Sequence, residues 1–292
     1  MKKQLIVILA LLLTCWVKAQ ELKSFKIYNK EHQEINFQTM INAIQQQQVV
    51  LFGEFHNSAI IHWLELKTAE GIYTKQPHLT LGAEMFETDN QLIFNEYLND
   101  KISEENFNDE MRLWKNYTTD YKPLVSFAKK HQLKFIATNV PRRYASYVSK
   151  TGIDSLQTFT DGAQLYFAPL PIKVDTLTPG YGAMLKMMKG HSFGPNMNPM
   201  NFVAAQAVKD ATMAYFIAQN ITKNGVFLHY NGDYHSKNYG GIYWYLHQIH
   251  PDLKIAVITV EESNNKDLSL NNLEESGDYT IVIPSDFTKT YE

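Results

Sequence analysis

Cysteine is almost absent. Cys15 is the single one in 292 residues, and it falls in the N-terminal segment. A chain processed beyond it has no thiol, which excludes disulfides and thiolate metal sites. A protein of this length without disulfides is held by an ordinary large apolar core. An excess of charge of one sign is lacking as well. The 27 basic residues stand against 30 acidic ones, a formal net charge of −3. With a pI near 6.4 there is no basic footprint for DNA or RNA, and no nucleic-acid partner is expected. No repeat, heptad run or low-complexity tract is present, so solenoids and coiled coils drop out. What remains is globular material, 45% apolar and 13% aromatic.

The N-terminus carries an address. Lys2 and Lys3 precede an apolar stretch from Leu5 to Leu13, and Val17-Lys18-Ala19 offers a small residue before Gln20. This reads as a secretory signal peptide over residues 1–19, cleaved after Ala19 and too short to span a membrane. It places the protein outside the cytoplasm, in the periplasm or at the outer membrane. Acylation of Cys15 is a second reading. It fits less well, because Thr14 precedes the cysteine and bulky Trp16 follows it. Residues 20–292 then form a single domain.

Six short apolar runs read as buried parallel strands: 49–52, 79–83, 134–138, 226–230, 255–260 and 279–283. Helical spacing of apolar residues covers 59–69, 91–98, 124–131 and 202–221. Strand–helix alternation of this kind predicts an α/β fold, a three-layer αβα arrangement around a mostly parallel sheet. The polar stretch from Ser263 to Gly277 has no helical pattern, so the last strand is expected antiparallel at an edge. Two segments interrupt the alternation. Residues 99–119 are charged and aromatic and read as helical. Residues 141–200 are long, with prolines and methionines concentrated toward the end, and read as an inserted helical cap over the sheet.

The chemistry gathers at strand exits. Val49-Val50-Leu51-Phe52-Gly53-Glu54-Phe55-His56 and Phe227-Leu228-His229-Tyr230-Asn231-Gly232-Asp233-Tyr234-His235 share one order: apolar strand, Gly, acid, aromatic, His. The glycine is expected to let the backbone turn off the strand. Loops at the carboxyl ends of parallel strands are where α/β sheets bind ligands. The strand over 79–83 runs on to Glu84, and the one over 134–138 to Asn139 and Arg142. Glu54, His56, Glu84, Asn139, Arg142 and His235 are therefore expected on one rim, with His62 close by. His56, Glu84 and His235 suit a divalent metal such as Zn, Mn or Fe. Such a metal activates water, with Glu54 as a spare base, so Glu54, His56, Glu84 and His235 are the candidate catalytic set. Plainer roles compete. Glu54 or Asp233 suits a helix cap, His229 suits a satisfied core histidine, and Arg142 suits either solvent or the grip on a carboxylate or phosphate.

These blocks resemble the ChaN-like haem-binding uptake family of the Tiki superfamily. The matches run in order: Phe52-Gly53-Glu54-Phe55-His56 with His62, Glu84-Met85-Phe86-Glu87, Tyr121-Lys122-Pro123-Leu124 with Phe127-Ala128, Asn139-Val140-Pro141-Arg142, Ala205-Gln206 with Lys209-Asp210 and Met213-Ala214, and Gly232-Asp233-Tyr234-His235 before Tyr239-Gly240. The resemblance implies an iron-regulated exported protein that binds haem through a tyrosine, with a haem pair held in a homodimer and an outer-membrane haem or iron transporter as partner. The wider superfamily implies metal-dependent proteases and hydrolases built on two Gly-x-x-His motifs and a Glu. The sequence departs from the family at His191-Ser192-Phe193-Gly194, where a His-Cys-Gly-like stretch is common, and no unique position matches the haem tyrosine.

Haem needs an axial ligand, apolar walls and cations for its propionates. The insertion supplies Tyr181, Met184, Met187, Met188, His191, Phe193, Met197 and Met200, with Lys186 and Lys189 as cations. Tyr181 is the expected ligand, His191 a ligand or propionate partner, Met188 a wall and Arg142 a propionate contact. Tyr166 and Tyr144 are rivals to Tyr181. Exported haem binding in iron acquisition is the first functional reading, and a metal-dependent hydrolase the alternative.

Overall fold

In the run Val49–Glu54, Val49 and Leu51 point to one side and Val50 and Phe52 to the other, and all four are buried. A strand with both faces apolar must sit between two layers. It occupies the middle of an eight-stranded sheet in the computed structural model, which describes residues 22–188, 198–270 and 276–291. The strands are β1 (Lys26–Asn29), β2 (Glu34–Ile35), β3 (Val49–Glu54), β4 (Leu79–Glu87), β5 (Lys134–Asn139), β6 (Val226–Gly232), β7 (Ile255–Ser263) and β8 (Tyr279–Pro284). Their order is β2-β1-β8-β7-β3-β6-β4-β5. From β8 to β5 every pairing is parallel, and β1 and β2 add an antiparallel edge.

The helices of seven residues or more are α1 (Phe37–Ile44), α2 (Ala59–Lys75), α3 (Gln91–Leu98), α4 (Glu104–Glu110), α5 (Lys122–His131), α6 (Arg142–Thr151), α7 (Tyr181–Met188), α8 (Pro199–Asn220) and α9 (Gly241–Ile249). One apolar core joins α1 to α5 with Val50, Phe52, Leu81, Leu228 and Ile258 of the sheet. The other joins α6 to α9 with Val49, Leu51, Phe227 and Val257. Each fully buried aliphatic or aromatic side chain contributes about 1.5–3 kcal/mol, so these two cores hold the fold. Local chemistry sets helix starts. Asn36 caps α1 by accepting from the Thr39 N–H, Ser103 caps α4 from Asn106, and Asn198 followed by Pro199 opens α8.

The three-layer α/β expectation holds, and two details change. β8 runs parallel to β7 and is not an edge strand, since β1 pairs on its other side. The edge belongs to β1 and β2, short and polar enough that no apolar run marked them. The inserted segment does not stand apart. Tyr144, Val148, Leu156, Phe167, Ile172 and Tyr181 share the second core with α8, and the far end of the insertion brings Met184 of α7 to the strand exits. Residues 99–119 contain α4 and lead into a π-helical turn, Tyr117–Tyr121, packed on the first core. The signal-peptide region with Cys15, and His191, Lys189, Phe193 and Met197 of the insertion, lie outside the described residues. Among the described residues no helix is long and apolar enough to cross a membrane.

Candidate functional site

β3 and β6 lie side by side in parallel, with Glu54 opposite Gly232. This register brings the two Gly-x-x-His loops to one mouth. The glycines do not act as expected. Neither lies at positive φ; each is needed because a side chain occupies the space of a Cβ. A Cβ on Gly53 would lie 2.5 Å from Asp233 Oδ1, and one on Gly232 would lie 2.8 Å from His56 Nε2. The His56 ring therefore rests on the Gly232 backbone.

Around His56 the partners are local. Its Nδ1 is 2.5 Å from Glu54 Oε1, which also accepts from the Tyr121 hydroxyl at 2.9 Å. Trp114 meets the imidazole edge-on, with ring centres 4.9 Å apart. Glu54 Oε2 lies 3.1 Å from Nδ1 of His62, whose Nδ1 is also 3.0 Å from Glu65 Oε2. Burial acts to raise the Glu54 carboxyl, but His56 and His62 hold it well below the usual carboxylate range. Burial acts to lower both histidines. Glu54 and then Glu84 outweigh it at His56, and Glu65 with Glu54 pushes His62 up to about 11. Glu65 itself is raised well above the usual range by burial and by the Glu54 charge.

Around His235 the partners come from afar. Nδ1 is 2.5 Å from Asp210 Oδ1 on α8, and Nε2 is 3.2 Å from Glu84 Oε1 on β4. Glu84 Oε2 accepts from the Gly232 N–H at 2.8 Å, and the Tyr181 hydroxyl donates to Asp210 Oδ2 at 2.5 Å. Burial acts to lower His235, and the charges of Glu84 and Asp210 lift it to about 10. Burial acts to raise Glu84, and His235 with His56 holds it well below the usual range. Asp233 caps no helix. Its Oδ1 accepts from the Thr259 hydroxyl at 2.5 Å and from the Val260 N–H at 3.3 Å, tying the loop to β7.

The mouth opens on a cavity of about 580 Å³ lined by Glu54, Phe55, His56, Met184, Gln206, Gly232, Tyr234, His235, Lys289 and Tyr291 among others. That is within the range of small-molecule sites, about 300–1,000 Å³. Tyr234 is 72% exposed there, and no hydrogen bond to its hydroxyl is made among the described residues. A second cavity, of about 540 Å³ beside β5, is lined by amides, Lys134 and apolar groups and has no acid or histidine.

Of the expected rim, Glu54, His56, Glu84 and His235 come together. Asn139 and Arg142 do not line the cavity, and Arg142 is exposed at the start of α6. His229 is the buried core histidine, held by Thr138 and Asn231. Tyr181 is 2% exposed with its hydroxyl on Asp210, so its phenol is closed to a ligand as placed. Met188 is buried in α7, away from the cavity lining, where Met184 stands instead. His56, Glu84 and His235 do not form the compact donor group expected of a metal set. Among the described residues that group is Glu54, His62 and Glu65, with donor atoms within 4.8 Å of one another. Glu54 and Asp210 each hold the Nδ1 of a loop histidine, and the Nε2 of His235 faces Glu84 Oε1 at 3.2 Å. Sequence reasoning passed over Asp210, Glu65 and Tyr234 as site residues. The first two had a signal: an acid within an otherwise apolar helical stretch, and an acid one turn after His62.

Solved structures of similar fold include that titled "Cofacial heme binding to ChaN of Campylobacter jejuni", 18% identical, covering 90% of this chain and 98% of that one with a TM-score of 0.66. A mutant of the erythromycin esterase EreC in its open conformation is 10% identical, covering 90% and 98%, with a TM-score of 0.50. At these identities the likeness shows the fold alone. No curated protein matches the chain in sequence. The family model described as "Haem-binding uptake, Tiki superfamily, ChaN" matches residues 40–246, which include both histidine loops, Glu84 and Asp210. The chain belongs to this ChaN family of haem-binding uptake proteins in the Tiki superfamily.

Proposed function

We propose that this protein binds haem at the mouth formed by the β3 and β6 exits and acts in exported iron acquisition. The observation that carries the reading is Tyr234, an exposed phenol with no hydrogen-bond partner among the described residues, on the wall of a cavity of about 580 Å³. The donor set there fits the group. Haem iron takes tyrosine or histidine as axial ligand. Tyr234 supplies the first, and His56, with its Nε2 toward Gly232, supplies the second. Phe55, Met184 and Tyr291 give apolar walls, and Lys289, ion-paired with Glu262, stands at the rim for a propionate. When bound, haem supplies the iron; the chain's part is to hold it and shield one face. Met184 brings the insertion into this role in place of Met188. A homodimer that pairs two such mouths and an outer-membrane haem transporter belong to the same proposal, as does the signal peptide over 1–19.

The test is a haemin titration of the processed chain followed by its Soret band. Saturable binding at micromolar protein with a shifted band is expected, and Tyr234→Phe should alter the band and weaken binding. A spectrum identical to free haemin sinks the reading. The second reading is a hydrolase using Glu54, His56, Glu84 and His235, alone or with Zn, Mn or Fe at His56, Glu84 and His235. It is supported by two carboxylate-backed histidines that line one cavity. Peptidase or esterase turnover abolished by His56→Ala with His235→Ala would favour it, and absence of turnover in the unmodified chain removes it.

A further inference from the structure

We propose that Glu54, His62 and Glu65 form an interior site for one divalent cation of zinc type, behind the His56 wall of the cavity. The proposal does not depend on haem binding. It starts from the two nitrogens of His62. Nε2 is 3.2 Å from the His56 carbonyl oxygen and 3.4 Å from Asp120 Oδ2. Both are acceptors, so Nε2 carries the hydrogen. Nδ1 then faces Glu65 Oε2 at 3.0 Å and Glu54 Oε2 at 3.1 Å. With Nδ1 unprotonated, three acceptor atoms converge on one point.

A proton on Nδ1 relieves this only in part. An N–H is directional, and here it aligns with Glu65 Oε2. Glu54 Oε2 and Glu65 Oε1 stay fully buried with no hydrogen-bond partner. An unmet buried acceptor costs about 1–3 kcal/mol, more when charged. A cation has no such directionality and draws both carboxylates and the imidazole at once. The separations suit it. A tetrahedral site with bonds of about 2.1 Å has edges of about 3.4 Å; the two edges from His62 Nδ1 are 3.0 and 3.1 Å, and all three donors lie within 4.8 Å of one another. The surroundings suit it too. A metal-bound histidine characteristically donates its other N–H to a carboxylate or a backbone carbonyl, and His62 has one of each. Among the described residues the ion pairs of Glu54, Glu65 and Asp120 are all to histidine, so no lysine or arginine neutralises this acidic pocket.

The fold explains why these residues meet. His62 and Glu65 lie one turn apart on the buried face of α2. Glu54 comes from the last position of β3, which feeds that helix. Asp120 is fixed from the π-helical turn, accepting from Asn116 Nδ2 at 2.7 Å and from the Thr290 hydroxyl at 2.8 Å. Three protein ligands leave a fourth position open. Because Glu54 spends its other oxygen on His56, filling the site would fix the carboxylate that orients the His56 ring at the mouth.

The processed chain is stripped with a chelator, reloaded with zinc, dialysed and analysed for metal, and a parallel sample is titrated with cobalt(II) for its visible spectrum. One zinc per chain and a four-coordinate cobalt spectrum are expected. Glu65→Gln should weaken uptake by about ten-fold or more, and His62→Gln should abolish it. Asp161→Asn, at an exposed position, should leave it unchanged. Less than roughly a tenth of an equivalent in the zinc-saturated chain overturns the proposal, as does a full equivalent with an unchanged spectrum in either folded variant. Should neither variant fold, X-ray absorption on the unmodified zinc-loaded chain decides. One histidine nitrogen among oxygen ligands supports the site. Two histidine nitrogens place the metal at His56 and His235 and overturn it.

Discussion

The two Gly-x-x-His exits share their letters and not their wiring. At 53–56 the acid inside the motif serves the histidine inside the motif: Glu54 Oε1 is 2.5 Å from His56 Nδ1. At 232–235 the acid turns away. Asp233 binds Thr259 and Val260 of β7 and Lys237, and His235 takes its carboxylates from Glu84 and Asp210, 151 and 25 positions away by sequence number. The first loop leaves its histidine side chain one-third exposed, and the second buries it to 11%. A repeated motif thus marks a repeated backbone path. What each residue does is set by what the neighbouring strand and helix bring to it.

The largest test of this contrast compares the distant acid with the local one. Glu84→Ala leaves a buried His235 with one carboxylate and strands the Gly232 N–H. Breaking a buried pair from one side costs about 3–5 kcal/mol, and urea unfolding should show a loss of that order. Asp233→Asn keeps an acceptor for Thr259 and Val260 and should cost only about 1 kcal/mol. Equal losses would mean that the second loop is wired like the first.

Acid pH separates two histidines of one strand and its exit. His229 is fully buried between Thr138 and Asn231, and burial pulls it down to about 4, although Asn231 and Glu84 act the other way. Its unfolded value is near 6.5, so between those values the unfolded chain binds the extra proton. Stability is full above about 6.5 and falls as pH drops toward 4. At about 1.36 kcal/mol per unit the loss approaches about 3 kcal/mol. Six residues on, His235 is lifted to about 10 and keeps its proton over this whole window. Urea unfolding between pH 7 and pH 4 should show the acid loss, and His229→Gln should flatten that part of the profile.

The layers were legible in the sequence because every central strand is an apolar run buried on both faces. Residues 49–52 and 226–230 could be read as strands, and the histidine loops at their ends followed. The two antiparallel strands at one edge were not legible. β1 and β2 draw on Lys26–Asn29 and Glu34–Ile35, where polar and apolar residues mix. The absence of a helical pattern before β8 predicts an antiparallel edge, yet β8 pairs parallel with β7. At the site, Glu54, His56, Glu84 and His235 were found because strand exits converge. Asp210 and Glu65 were not, because a helix side chain reveals its target only once the helix is packed. Tyr181 and Tyr234 show the same limit: the sequence points to Tyr181 and passes over Tyr234, and burial reverses the two.

The two glycines sharpen the comparison on a smaller scale. At Gly53 an added methyl meets Asp233 Oδ1 at 2.5 Å and the Ile258 carbonyl oxygen at 3.0 Å, a backbone atom that cannot swing aside. Gly53→Ala should destabilise by about 1–3 kcal/mol, as overpacking does, with haemin affinity little changed in the folded fraction. At Gly232 the methyl meets the end of His56, a partly exposed side chain that can move. Gly232→Ala should spare stability and weaken haemin binding several-fold. The opposite pattern would make Gly232 the structural glycine and Gly53 the one that serves the mouth.

The two tyrosines make the smallest and cleanest test, because one hydroxyl is removed in each case. The Tyr181 hydroxyl is buried and donates to Asp210 Oδ2 at 2.5 Å, so it helps hold the carboxylate that orients His235. Burial and the Asp210 charge raise this phenol well above its ordinary range, so it stays protonated and stays a donor. Tyr181→Phe leaves a buried carboxylate oxygen without that partner and should cost about 1–2 kcal/mol, with the haemin spectrum retained. Tyr234 is exposed and makes no such bond, so Tyr234→Phe should change stability by less than about 0.5 kcal/mol. Its effect should fall on the Soret band instead. A stability loss at Tyr234 with an altered spectrum only at Tyr181 would exchange the two assignments and return the ligand to the insertion.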